Sequence, residues 1–177
     1  MQTYNFDELI TRQNTDSIKW DKFNHKTIPL WVADMDFKSP PCITKSMKQR
    51  LNHEIYGYTH APENFRENIS LYLHEQYQWE VDPEWIVVLP SVVSALYSIG
   101  INCTNSASHV ITPKPVYHHL RIAAEDSGRS YDESQLDIIN NRILLTQSSL
   151  QRVVKKNTDL LYFCNPHNPG GTVYSEK

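Results

Sequence analysis

The chain has 177 residues, 40% of them apolar and 21% charged, with a net charge of −3. These proportions describe a globular protein and exclude a disordered or collagen-like one. The near-neutral balance, without a Lys/Arg block, excludes a nucleic-acid or anionic-membrane binder that works by bulk charge.

The opening stretch, "MQTYNFDELI", lacks a basic region followed by an apolar core, so no secretory signal is read there. No run approaches the roughly 20 apolar residues that span a bilayer. Cys42, Cys103 and Cys164 are scattered, odd in number and outside any CxxC pair. They read as reduced thiols, and the expected location is cytoplasmic. The eight histidines include the adjacent His118 and His119 but lack metal-ligand spacing, so no metal site is expected.

Residues 1–38 read as irregular, with one apolar patch, "IPLWVADMDF". A helix is expected over "PPCITKSMKQRLNH", with Ser39 as its cap and prolines in its first turn. "YGYTHAP" reads as a turn. In "PENFRENISLYLHEQYQW", Phe65, Ile69, Tyr72, Leu73 and Tyr77 recur at helical spacing.

From residue 84 the pattern changes to alternation. "EWIVVLP" reads as a short buried strand over 85–89, and "SVVSALYSIGINC" as an apolar helix opening on Ser91. "SHVITPKP" reads as a strand, "VYHHLRIAAEDSG" as a helix ending at Gly128, and "RSYDE" as a short strand. "TQSSLQRVVKKN" reads as a helix and "TDLLYFCNP" as a strand over 159–164. This order predicts an α/β fold with a mainly parallel sheet and flanking helices.

Ligands on such sheets bind beyond the carboxyl ends of the strands, where "LPSVV", "TPKPVY" and "CNPHNPGG" fall. Ser91 opens a helix, and the amides of Val92 and Val93 would be free there. With the serine hydroxyl they suit a phosphate. Serine is equally an ordinary N-cap. Tyr117, after Pro115, offers a ring for a planar ligand to stack on, or an ordinary packing residue. Asn168 lies between Pro166 and Pro169, whose rings fix two backbone angles and restrict the residues before them. An amide aimed in this way can donate to a phenolate-type oxygen. The alternative is a stiff turn completed by Gly170 and Gly171. Together the three features suit a phosphorylated aromatic cofactor, and pyridoxal 5′-phosphate (PLP) fits that description.

The whole length resembles the MalY/PatB-like branch of the fold-type I PLP enzymes, within the class I and II aminotransferase superfamily. "FDELITRQNTDSIKWD", "IPLWVADMDFKSPPCI", "RLNHEIYGYT", "LPSVVSAL", "TPKPVYHHL" and "LLYFCNPHNPGGTVY" carry the likeness in order. "WVADMDF" and "YGYT" select the branch, which contains cystathionine β-lyases and other cysteine-S-conjugate β-lyases.

The resemblance implies roles for matching residues. Ser91, Val92 and Val93 would hold the cofactor phosphate, Tyr117 would stack on its ring, and Asn168 would bond its 3-oxygen. Tyr58 would reach the phosphate of a neighbouring subunit in a homodimer, and the backbone of Ala33 and Asp34 would flank the substrate carboxylate. Residues 1–45 would be an arm and small-domain segment, and 46–177 part of the large cofactor domain. Ala61 stands where some relatives carry an aromatic, which leaves substrate choice open.

The resemblance also implies a lysine that bonds the cofactor, an aspartate for the pyridine nitrogen and an arginine for the substrate carboxylate. No residue of this sequence matches them, and Lys177 lies in a different context, a helix opening read at "YSEK". The expectation is therefore an incomplete β-lyase that is inactive alone. Its substrate would be an amino-acid thioether such as cystathionine, giving a thiol, pyruvate and ammonia. The alternatives are an aminotransferase on the same scaffold, or a non-catalytic remnant that pairs with a complementary chain.

Overall fold

The computed structural model describes residues 4–24 and 26–175. The end of the "YSEK" segment, with Lys177, lies outside them; Tyr174 and Ser175 are not helical. The chain divides into two compact units, Met1–Pro62 and Glu63–Lys177.

The first unit is mostly irregular, as expected, but contains a single helical turn, α1 (Ile18–Asp21), before the longer α2 (Pro41–Asn52). Ser39 does not cap α2. The capping position is Pro40, without a side-chain cap, and Pro41 takes the first helical position. Paired prolines fix the entry to the helix by their own φ, which leaves the serine one residue too early to reach the free amides.

The second unit begins with α3 (Phe65–Tyr77), which ends on Gln78 in the left-handed conformation. The strand expected over 85–89 is absent. Pro83–Trp85 form a single 3-10 turn, and 86–89 run without pairing to any described strand. Consecutive apolar residues give the same local signal whether or not a neighbouring strand takes up their backbone groups, and here Val87 and Val88 face outward.

The alternation then proceeds largely as read: α4 (Val92–Asn102), β1 (His109–Lys114), α5 (His118–Asp126), β2 (Ser130–Gln135), the short β3 (Asp137–Ile139) and β4 (Arg142–Leu144), α6 (Gln147–Gln151), which stops well short of the helix read through Asn157, and β5 (Thr158–Leu161). The main sheet is parallel, in the order β2-β1-β5. β5 ends at Leu161, so residues 162–164 pass beyond the strand that the sequence extended to 164. β3 and β4 form an antiparallel hairpin not anticipated in the sequence. Its turn is Asn140-Asn141, both with positive φ, the backbone that a two-residue hairpin loop requires.

β1 lies at the centre of the sheet and is buried along five of its six residues. Val110 packs with Leu120, Ala123 and Ala124 of α5 and with Tyr162, which follows β5. Each large apolar side chain buried in this way contributes about 1.5–3 kcal/mol. At the amino end of the sheet, His109 bridges all three strands. Its Nδ1 is 2.7 Å from Thr158 Oγ1 on β5, and its Nε2 is 3.2 Å from Asp132 Oδ2 on β2. Lys155 pairs with the same carboxylate at 2.7 Å and is the main cause of its lowered pKa.

Arg129, just before β2, ties the carboxyl end of α4 to this same end of the sheet, donating to Thr104 Oγ1 (3.0 Å) and the Ile101 carbonyl (3.1 Å). The N-terminus of α4 therefore points to the opposite end, where α5 also begins. Among the described residues, no helix is long and apolar enough to cross a membrane.

Candidate cofactor site

Two segments meet at the carboxyl end of β1 and β5. Pro115–Tyr117 lead from β1 into α5, and Asn165–Thr172 follow β5. The Tyr117 amide donates to the Asn168 carbonyl at 2.8 Å. This bond places the proposed ring platform next to the proposed amide donor, although 51 residues separate them in the chain. Tyr117 is half-buried and Asn168 is exposed, so the tyrosine is anchored while the asparagine side chain faces solvent.

The Asn168 loop is closely bonded. The His167 amide donates to the Thr172 carbonyl and the Gly171 amide to the His167 carbonyl, both at 2.7 Å. Cys164 Sγ accepts the Asn168 amide at 3.4 Å. The prolines do stiffen the loop, but the hydrogen bonds fix its shape.

Ser91 is the N-cap of α4. Its Oγ accepts the Ser94 amide at 3.1 Å and lies 3.0 Å from Ser94 Oγ. The capping role uses a lone pair, and the hydroxyl hydrogen can be given either to Ser94 Oγ or to a ligand, so the ordinary and the functional readings of Ser91 are compatible. Val92 is exposed and Val93 half-buried, at the first two helical positions, whose amides have no acceptor within the helix.

Ala33, Asp34 and Tyr58 belong to the first unit, all exposed. Asp34 is engaged on both sides: Arg12 pairs with its carboxylate at 2.5 Å, and Lys19 Nζ donates to its carbonyl at 2.7 Å. Asp36 receives Lys19 (2.8 Å), the Trp20 indole (2.8 Å) and Arg12 (2.6 Å). The sequence reading missed this cluster because its partners lie 16 to 24 residues apart.

Lys19 first, then Trp20 and Arg12, hold the Asp36 carboxyl well below its ordinary value of 3.8. A carboxyl depressed by folding stabilises the fold above its ordinary value, and that contribution is lost as pH falls through the depressed one. The first unit is therefore expected to loosen only below the ordinary carboxylate range, followed by the fluorescence of Trp20 and Trp31. Asp36→Asn is expected to flatten that acid response; an unchanged titration would show that Asp36 does not govern it.

Comparison with known proteins places the chain. Residues 25–177 match the family described as aminotransferase class I and II. The chain belongs to this family. It is 32% identical to the cystathionine beta-lyase PatB of Bacillus subtilis, over 98% of this chain and 46% of that protein. With protein MalY of Escherichia coli it shares 24% identity, over 97% of this chain and 46% of the relative. Among solved structures, cystalysin from Treponema denticola, which contains a pyridoxal 5′-phosphate cofactor, superposes with a TM-score of 0.88 at 30% identity, over 99% of this chain and 46% of that one. The PLP-bound C-S lyase of Staphylococcus hominis superposes with a TM-score of 0.87 at 28% identity, covering 98% and 45%. The α/β fold with its parallel sheet is thus that of part of a fold-type I PLP enzyme, and the chain spans less than half the length of these relatives.

Proposed function

We propose that the chain carries the phosphate- and ring-binding part of a PLP-dependent cysteine-S-conjugate or cystathionine β-lyase. The 2.8 Å bond from the Tyr117 amide to the Asn168 carbonyl is the observation that supports this most directly, because it joins the two ring contacts at one end of the sheet. The donors suit the cofactor: the Ser91 hydroxyl and the Val92 and Val93 amides for a phosphate, the Asn168 side-chain amide for a phenolate oxygen. Bound PLP supplies an electron-withdrawing ring that stabilises negative charge at the substrate α-carbon. The chain's own residues hold and orient that ring. In this reading Ala33 and Asp34 flank the substrate carboxylate, Tyr58 serves the neighbouring subunit of a homodimer, and residues 1–45 and 46–177 are the arm and the large-domain portion.

The experiment is a PLP titration of the chain followed by cofactor fluorescence. Weak, non-covalent binding is expected, because no residue of this sequence matches the lysine and aspartate implied for the cofactor, and Asn168→Ala should weaken it further, about tenfold, through loss of one hydrogen bond to a charged oxygen. Binding that ignores this substitution would remove Asn168 from the site. Elimination is separated from amino transfer by assaying pyruvate from cystathionine without a keto-acid acceptor, using the protein encoded by the whole reading frame. The likeness to PatB favours elimination.

A further inference from the structure

His167 stands between the two motif asparagines and is 3% exposed, with both ring nitrogens bonded. Its Nδ1 is 3.1 Å from the Gly170 amide. An amide only donates, so Nδ1 carries no hydrogen and Nε2 carries one. That hydrogen is donated to the Pro115 carbonyl at 3.0 Å. The next residue, Asn168, accepts the Tyr117 amide through its carbonyl at 2.8 Å. Residues 115 and 117 are therefore gripped by residues 167 and 168, at two points on one short segment. A single bond would leave the segment free to swing about it; two fix its direction, and with it the point and direction from which the Tyr117 side chain leaves the backbone.

We propose that His167 is a positioning residue, a neutral Nε2–H imidazole that fixes the Tyr117 platform relative to the Asn168 amide. The inference rests on the cofactor reading above only for what Tyr117 and Asn168 touch; the fixation itself is a property of the chain. Gly170 supports it, because a Cβ there would fall 2.6 Å from His167 Nδ1.

Glutamine and asparagine separate the two ring bonds. The nitrogen of a glutamine at 167 reaches about as far as Nε2 and can donate to Pro115, whereas the oxygen of an asparagine sits near Nδ1 and can only serve Gly170. The experiment compares His167→Gln with His167→Asn in the chain, by amide hydrogen exchange without cofactor and by PLP titration. Exchange at Tyr117 is expected to rise about tenfold in His167→Asn, as for the loss of one buried hydrogen bond, and to stay near wild type in His167→Gln. Val110 and Ile111 should exchange alike in both, and PLP affinity should fall in the same order.

Equal exchange at Tyr117 in the two variants, or rescue by asparagine rather than glutamine, would overturn the proposal. If either variant fails to fold, nitrogen-15 NMR of the wild-type ring decides: a proton on Nε2 supports the fixation, and one on Nδ1 overturns it. Failure of the wild-type chain to bind PLP would sink the cofactor reading, while the exchange order would still decide the role of His167.

Discussion

Gly170→Ala is expected to destabilise the second unit by about 1–3 kcal/mol, the usual cost of forcing a methyl into a filled site. The added Cβ would lie 2.6 Å from His167 Nδ1 and 3.1 Å from the Cβ of Ile143 on β4. The histidine ring has no room to withdraw, since its far side is held by the Pro115 carbonyl. Any relief must come from the main chain of the loop, which would break the Gly170 bond to Nδ1 and shift Asn168. Urea unfolding followed by tyrosine fluorescence should show a lower midpoint, and PLP affinity should fall with it. An unchanged midpoint would mean that the loop has more slack than these distances allow.

Gly100→Ala is expected to cost about 1–2 kcal/mol, although alanine in place of glycine ordinarily favours a helix by about 1 kcal/mol. The sign reverses because a Cβ would meet the Tyr162 hydroxyl at 2.7 Å and Ser127 Cβ at 3.2 Å. Tyr162 is 4% exposed, and its hydroxyl donates to the Leu96 carbonyl at 2.7 Å, so the ring is fixed at both ends. Burial also raises the pKa of this phenol, consistent with a neutral donor. In a Tyr162→Phe background the colliding oxygen is gone, and the same alanine should cost less by at least about 0.5 kcal/mol. Additive effects in that double-mutant cycle would show that the clash is elsewhere.

The helices α2 to α5 and the central strand were legible because their signals are local. Apolar spacing, a capping serine at residue 91 and a glycine at residue 128 punctuate the chain where the structure turns. The 86–89 segment misled for the same reason: valines announce apolar character, but pairing depends on a neighbour that the local sequence does not contain. The hairpin 137–144 was passed over because its two arms have only three residues each, too few for alternation to stand out. For the site, Ser91 was legible as a cap, and Tyr117 and Asn168 were placed at strand ends from the order of elements. The His167 contact was not legible. Its partner, Pro115, is 52 residues away, and no local spacing links the two.

The His109 bridge has a consequence for how such a protein can change over generations. It secures β2, β1 and β5 at their amino ends, the end remote from Tyr117 and Asn168. A sheet clasped at one end tolerates revision at the other, since a new residue in a loop beyond the carboxyl ends need not also hold the strands in register. Exposed loop positions such as Asn168 are thereby freed from holding the strands together, whereas packed ones such as Gly170 and the buried His167 still answer to both stability and ligand.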